Sequence, residues 1–174
     1  RQQITANITY MLYNITAELQ KKDTSNRYMN TGIHPNSEMV QIEYKKNESG
    51  SEFIAFYFEN ALKEKLSHTE WKVMPKKDFN TMTEEMKALY LKLINEQIAR
   101  INAIATTYIS EEKFRLVQGN TFEEFCKNAI AAIGDSYKGV KVRIKVVYDK
   151  RNFTAFPSYT NYEWIEPMTV PESE

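Results

Sequence analysis

The chain has 174 residues, and its 23 basic side chains balance its 23 acidic ones, so the formal net charge is zero. This balance counts against a protein that coats nucleic acid by bulk charge alone, but it allows a local basic groove because charges act within a Debye length of about 8 Å. A single cysteine, Cys126, excludes an internal disulfide and favours a reducing compartment. No apolar run approaches the roughly 20 residues of a membrane helix, so we expect one soluble domain with no membrane partner.

The first 37 residues are predicted to form an extension ahead of the main domain. Apolar residues between positions 4 and 19 fit helical spacing, and although the alternation of residues 4–12 also fits a strand, we favour a helix. The polar stretch of residues 21–32 is typical of a linker or loop. Residues 1–37 are therefore a candidate dimerisation arm or docking element.

Three strands are predicted to follow as a meander. Residues 38–46 alternate between apolar and polar side chains, and residues 47–50 have the composition of a hairpin turn. Residues 52–58 form the second strand, and a third lies around residues 66–73. The meander is the first half of a predicted sheet.

The second of these strands is apolar on both faces. Either Phe53 with Tyr57 or Phe56 with Phe58 must therefore face away from the core. An outward aromatic row needs a cover, and the sequence offers two. One is the long helix that follows, and the other is bound nucleic acid.

One long amphipathic helix is predicted from residue 81 to about residue 108. Its apolar side chains keep to one helical face, and Thr81 with Glu84 offers a capping box at its start. We expect the helix to pack on the core through Met86, Leu89, Leu93 and Ile101.

A second, shorter helix is predicted between Thr121 and Gly134. Thr121 and Glu124 have the spacing of a capping box, and a glycine permits the left-handed backbone that commonly ends a helix. Helical material is thus expected over about residues 81–133.

The next segment, residues 140–148, alternates between apolar and basic side chains. Because successive side chains of a strand point to opposite faces, Lys141, Arg143 and Lys145 are predicted to stand together outside the core. Such a row can be a solvated face that keeps the strand soluble. It can also be a cationic stripe for a polyanion.

Aromatic residues follow this strand directly. A polar turn adds Lys150 and Arg151, and the chain returns through the aromatic-rich residues 153–164. The three-residue spacing of Phe153 and Phe156 places them on opposite faces of a regular strand, so one ring should face outwards. Cations beside flat rings are what binding to unpaired nucleic acid needs, since cations follow phosphates and rings stack on bases.

The order of elements predicts an α+β fold. Three strands, helical material and two strands follow one another as in the OB-fold, a five-stranded Greek-key barrel. We therefore predict a five-stranded OB-like β-barrel over residues 38–168, with a long helical insertion between strands 3 and 4. Residues 1–37 are the N-terminal extension, and residues 169–174 are a short acidic end.

Several short segments resemble the single-stranded DNA-binding proteins of tailed bacteriophages. They are residues 44–46, 52–59, 66–71, 121–125, 139–150, 153–159 and 164–166, in corresponding order. The resemblance implies an OB-fold protein that protects transient single strands during phage replication or recombination, in the cytoplasm of a bacterial host. Many such proteins recruit replication or recombination partners through an acidic tail, of which residues 170–174 are a stub.

The nucleic-acid site predicted on this basis has two kinds of residue. Backbone neutralisation is assigned to Lys45, Lys141, Arg143, Lys145, Lys150 and Arg151. Base stacking is assigned to members of the set Tyr57, Trp71, Phe153, Phe156 and Tyr159. We predict no catalytic group, metal site or cofactor.

A different class of function stays open. In a virion structural or assembly protein, an OB-like barrel would be a scaffold and the helices would make protein contacts. The balanced charge and the long helix favour this alternative, whereas the basic hairpin favours DNA. Homo-oligomerisation through the N-terminal arm or the long helix is compatible with both.

Overall fold

The computed structural model describes residues 27–158 and 164–172, which form a mixed structure of helices and antiparallel strands. The strands are β1 (Gly32–Lys46), β2 (Glu52–Glu59), β3 (Lys65–Trp71), β4 (Val142–Tyr148), β5 (Thr154–Ala155) and β6 (Ile165–Pro167). The helices are α1 (Glu84–Ala105), α2 (Glu111–Arg115) and α3 (Phe122–Ile133), and a 3-10 turn covers Phe79–Thr81. The helix predicted between residues 4 and 20 lies outside the described residues. None of the helices within the two described ranges is both long enough and apolar enough to cross a bilayer.

The sheet is organised around β1, which pairs with β2 through its C-terminal part and with β4 through its N-terminal part. The pairing with β4 is interrupted between His34 and Ser37, where Pro35 lacks a backbone N–H and Asn36 has a left-handed φ of 54°. This irregularity lets one strand of 15 residues serve both halves of the sheet. The strand order is β3-β2-β1-β4-β5, with β6 also paired to β4.

The sheet is open and has six strands, so the prediction of a closed five-stranded barrel is corrected here. β5 lies beside β3, yet it has only two residues, and no ladder joins the two strands within the described part of the chain. Pro157 follows soon after β5 and lacks the N–H that a ladder requires. The returning segment forms β6 on the same edge of β4 instead. The broader prediction, an α+β structure with helices between the third and fourth strands, is confirmed.

The core lies between the inner face of the sheet and the three helices. In β2, Phe56 and Phe58 face inwards and are almost fully buried. The aromatic pair that faces outwards is therefore Phe53 with Tyr57. The apolar row of β4 and one face of α3 complete the cluster, which includes Val142, Ile144, Val146, Cys126, Ala129 and Ile133. Burial raises the pKa of the Cys126 thiol to about 12, so this cysteine is an inert core residue.

The two long helices differ in how well the sequence predicted their ends. The side chain of Thr121 accepts a hydrogen bond from the backbone N–H of Glu124, and the helix stops at Gly134, whose φ is 51°, as predicted. In contrast, α1 is capped by Thr83, which accepts from the N–H of Met86. Thr81 belongs to the preceding 3-10 turn, so the capping box predicted there is wrong.

Only the C-terminal half of α1 packs on the core. Ile101 and Ile104 are fully buried, whereas Leu89 and Leu93 keep 52% and 43% of their surface exposed. The prediction that both leucines pack on the core is therefore wrong. The N-terminal half instead borders the segment between β3 and α1, and the two line shallow clefts together.

A buried carboxylate, Glu70 near the end of β3, attaches α1 to the sheet. The Arg100 guanidinium donates to both of its oxygens, at 2.9 and 3.0 Å, and His68 on the same strand contacts it as well. Gln97 donates to the backbone oxygen of Trp71 at 2.6 Å. Burial alone would raise the pKa of Glu70, but the hydrogen bonds from His68 and Arg100 outweigh it and lower the pKa to about 2.

This pKa predicts how stability depends on pH. A carboxyl whose pKa falls on folding from 4.5 to about 2 stabilises the native state by about 3 kcal/mol above pH 4.5, and this contribution disappears as the pH falls towards 2. In urea unfolding at pH 7, Glu70→Gln should lose a contribution of this order. The difference from the unsubstituted protein should shrink between pH 4.5 and 2.5.

The exposed Glu48 in the turn between β1 and β2 provides a control, since Glu48→Gln should change stability little at any pH. A difference between Glu70→Gln and the unsubstituted protein that stays constant from pH 7 to pH 2.5 would contradict the proposed network.

The uneven burial of α1 makes a second prediction. Ile101→Ala removes a fully buried side chain and should cost about 2–5 kcal/mol in urea unfolding. Leu93→Ala, on the same helix, should cost less than about 1 kcal/mol because the side chain is half exposed. Equal losses would mean that the N-terminal half of α1 is covered.

Candidate nucleic-acid interface

The outer face of the β1–β3 half of the sheet carries a cluster of predicted site residues. Lys45, Phe53 and Trp71 lie side by side on three neighbouring strands. Four residues after Phe53 on β2, Tyr57 lies on the same face, opposite Ser67 of β3. Sheet register therefore brings together residues that are up to 26 positions apart in the sequence.

Two rings at one end of this face form a pair. The centroids of Phe53 and Trp71 lie 4.8 Å apart with an interplanar angle of 50°, and the indole of Trp71 is half exposed, at 51%. Tyr57 is half-buried, and its hydroxyl donates to Glu43 at 2.6 Å. This hydrogen bond, together with burial, raises the pKa of Tyr57 to about 12, and it holds the phenol against Glu43 of β1.

A cleft of about 600 Å³ separates β3 from the turn between β4 and β5. Ser67 and Thr69 line its sheet side, and Arg151 and Phe153 line the opposite side. Tyr28, which is 68% exposed, stands at one end of the cleft.

A second cleft, of about 350 Å³, continues from the first along the outer face of β1 and β2. It is lined by Gln41, Tyr57 and Lys65, and it shares Tyr28 and Ser67 with the larger cleft. We call the two together the β3 groove. Its walls hold exposed rings and cations on one continuous surface.

The turn after β4 is a preformed platform. One oxygen of Asp149 accepts from the backbone N–H groups of Arg151 and Phe153, and the other contacts the Arg151 guanidinium at 2.9 Å. The hydrogen bond from Arg151 is the main cause that lowers the pKa of Asp149. Asn152 adopts a left-handed φ of 62°, which asparagine tolerates well. As a result, Phe153 is 63% exposed, with the Arg151 guanidinium 5.3 Å from its ring centroid.

The aromatic residues after the turn divide as their spacing predicted. Phe153 faces outwards, whereas Phe156 is buried, with its ring centroid 4.4 Å from that of Trp164 and edge-on to Phe58. The prediction that one of the two faces outwards is confirmed. Phe156 is a core residue and cannot stack on a base, and Tyr159 lies outside the described residues.

The prediction that Lys141, Arg143 and Lys145 form one exposed row on β4 is wrong. Lys141 is exposed but contacts Glu38 at 2.7 Å, and Lys145 is half-buried. Arg143 is buried, because β6 pairs with this part of β4 and brings Glu166 within 2.7 Å of the guanidinium. The guanidinium also donates to the backbone oxygen of Val170. The alternation of β4 was recognised, but the strand that covers Arg143 was not.

Of the remaining predicted cations, Arg151 lines the groove, Lys150 lies next to it in the same turn, and Lys45 lies outside it. Lys150 and Arg151 are exposed in the β4–β5 turn, and Lys45 is exposed on β1, 3.7 Å from Glu43. Sequence analysis missed two groove residues, Tyr28 and Lys65. Tyr28 was assigned to a linker, yet it forms a parallel bridge with Lys65 at the edge of β3. An aromatic residue shortly before a strand is too weak a signal to predict this pairing.

Comparison with protein-family models and with curated proteins finds no match to the chain. Its function is therefore inferred from the groove residues themselves and from the resemblance in short segments described above.

The buried ion pair of Arg143 makes a third prediction. Arg143→Met leaves the Glu166 carboxylate buried without its partner and should cost about 3–5 kcal/mol in urea unfolding. Lys141→Met breaks an exposed pair and should cost less than about 1 kcal/mol. The double variant Arg143→Met with Glu166→Leu should recover much of the loss. An unaltered stability of Arg143→Met would show that the pair does not form.

Proposed function

We propose that the protein binds single-stranded DNA in the β3 groove and protects transient single strands in phage replication or recombination. The observation that carries this proposal is the pair of exposed rings that line the groove, Tyr28 and Phe153, together with the cations Lys65 and Arg151 on its walls. The exposed ring of Trp71 lies on the same outer face of β3, two residues after Thr69 of the groove wall. Exposed rings of this kind are costly to leave in water, and base stacking is a natural use of them.

We further propose that the sheet is an OB-like arrangement. A three-stranded meander, a long first strand shared between β2 and β4, and helices before β4 are the features that support it. In OB-folds, the face of the second and third strands and the loops beside it bind oligonucleotides. The β3 groove lies on the same face, next to the β4–β5 turn.

Stacking is expected to contribute more to this binding than charge. Lys45 and Arg151 each lie near a carboxylate, Glu43 and Asp149 respectively, which reduces the positive potential they present to phosphates. Exposed ion contacts are worth about 0–1 kcal/mol, whereas one stacked base is worth about 1–3 kcal/mol. The net charge of zero agrees with a binding energy that comes more from stacking than from charge.

Single strands are favoured over duplex DNA for a geometric reason. Rings on a sheet face can stack only on bases that have left their own stack. In a duplex the bases are paired and stacked, and only their edges are available in the grooves. The β3 groove offers flat rings, which match unpaired bases.

The two tryptophans allow a direct test. Trp71 is half exposed and Trp164 is buried, at 2%, so quenching of tryptophan fluorescence by oligo-dT should come from Trp71. Trp71→Ala and Phe153→Ala should each weaken binding about 5- to 150-fold, the equivalent of one lost stack, and leave the melting temperature nearly unchanged. Affinity is best measured by the anisotropy of a labelled oligo-dT, which does not depend on tryptophan.

Two controls accompany these variants. Phe79→Ala removes another exposed ring, outside the groove, and should bind like the unsubstituted protein. Phe156→Ala should lose about 3–5 kcal/mol of stability.

With two to four phosphate contacts, log K should fall with log salt at a slope of about −1.4 to −2.8. Normal oligo-dT affinity in both Trp71→Ala and Phe153→Ala would overturn the proposed site.

A virion structural or assembly protein is the second candidate. The observation that favours it is the exposed apolar side of α1, where Leu89 and Leu93 lie at the surface. If the protein binds no oligo-dT at low salt, this candidate becomes the better one, with the groove as a site for protein contacts.

A further inference from the structure

His68 connects the interior of the sheet with the β3 groove. On β3 it belongs to the inward row, yet it lines the larger cleft of the groove together with Ser67 and Thr69. Its side chain keeps 16% of its surface exposed, whereas its neighbours in the same row, Leu66 and Glu70, are buried. The imidazole is therefore accessible from the cleft, at the place where no ladder joins β3 to β5 in the described part of the chain.

One nitrogen of this imidazole is bound in the interior. Nε2 of His68 contacts the Glu70 carboxylate, whose oxygens also accept hydrogen bonds from Arg100. Because the pKa of Glu70 is about 2, this carboxylate is ionised at neutral pH and can only accept. Nε2 therefore carries a proton. The charge of the ring then depends on the second nitrogen, Nδ1, which has no hydrogen-bond partner among the described residues.

Three aromatic rings hold the imidazole in place. The ring centroids of Phe56, Phe156 and Trp164 lie 6.3, 5.5 and 5.8 Å from that of His68. Close packing on several sides, together with the contact between Nε2 and Glu70, fixes the orientation of the ring. A ligand that binds Nδ1 would not have to order the side chain, which lowers the entropic cost of binding.

The charged groups around the imidazole, within the two described ranges, come from three elements. Glu70 on β3 pairs with Arg100 on α1, and Asp149 pairs with Arg151 in the turn across the cleft. The pKa of Glu70 is about 2, and hydrogen bonds from Arg151 lower the pKa of Asp149. Both carboxyl groups thus stay ionised at the pH values where histidine gains or loses its charge, between about pH 5 and 8.

We propose that His68 binds a phosphate of the single strand through Nδ1–H, so that single-stranded DNA binds more tightly as the pH falls and this imidazole becomes charged. The inference rests on the function proposed above and concerns the regulation of that same site. Protonation converts Nδ1 from an acceptor, which repels a phosphate oxygen, into a charged donor. The Arg151 guanidinium lines the same cleft and is a second cation for the backbone of the strand.

The anisotropy of a labelled oligo-dT, measured at constant ionic strength from about pH 5.5 to 8.5, tests the proposal. Thymine and phosphodiester groups keep their charge over this range, so a change in affinity has to come from the protein. The dissociation constant should be about tenfold lower at the acidic end, the value of one hydrogen bond to a charged group. The slope of log K against log salt should also be steeper there by about 0.7, which corresponds to one additional phosphate contact.

Two histidine variants assign the effect, because the chain has only two histidines. The glutamine amide in His68→Gln can still donate to Glu70 but does not titrate, so its affinity should stay at the alkaline value of the unsubstituted protein at every pH. His34→Gln is the matched control. His34 contacts the carbonyl of Asn30 and does not line the groove, so this variant should keep the full pH dependence. The control assigns the titration to His68 even if His68→Gln does not fold.

The possible failures can be told apart. Oligo-dT binding with the same affinity and the same salt slope at both ends of the pH range would overturn the role of His68 and leave the proposed function intact. So would a pH dependence that disappears in His34→Gln and persists in His68→Gln. Absence of oligo-dT binding at every pH would overturn the proposed function and this inference together.

Discussion

The whole structure depends on the pairing of β1 with two different strands. Its C-terminal part holds the β2–β3 meander, and its N-terminal part holds β4, with the irregularity at Pro35 and Asn36 between them. Without this division, the meander and the last third of the chain would share no hydrogen-bonded ladder in the described residues. Because β1 pairs with both β2 and β4, the core residues of these two strands are brought to the same side of one sheet.

The same pairing creates the groove. It turns the β4–β5 hairpin towards the outer edge of β3, close enough to enclose a cleft but without a ladder between β3 and β5. An edge strand with unpaired backbone groups is usually a liability, and here Tyr28 and the β4–β5 turn flank it. The surface that we propose for single-stranded DNA thus lies in the gap between β3 and the β4–β5 turn, where the sheet does not close.

Features with a local physical cause could be predicted from the sequence. The cap at Thr121 and the stop at Gly134 depend on residues within one turn. The opposite orientations of Phe153 and Phe156 depend on the short strand between them and on the turn held by Asp149. Features set by distant residues could not. Arg143 alternates with apolar residues like an exposed strand cation, but its environment is decided by Glu166, 23 positions later.

Helical periodicity has a similar limit. It identified the apolar side of α1, yet it carries no information about which part of that side another element covers, and so Leu89 and Leu93 were assigned to the core. In the candidate site, the cations of the turn and the ring of Phe153 were predicted, as was Trp71 on the same face. Tyr28 was missed because its partner across a parallel bridge lies 37 residues away.

Trp71 has two separate roles, one for its ring and one for its backbone. The indole lies on the outer face beside Phe53, while the carbonyl of the same residue accepts the hydrogen bond from Gln97 that holds α1. A displacement of α1 at Gln97 would therefore act directly on the backbone that carries the ring. By thermodynamic reciprocity, a molecule whose binding shifts this part of β3 would change the position of α1, and a molecule that shifts α1 would change binding at the ring.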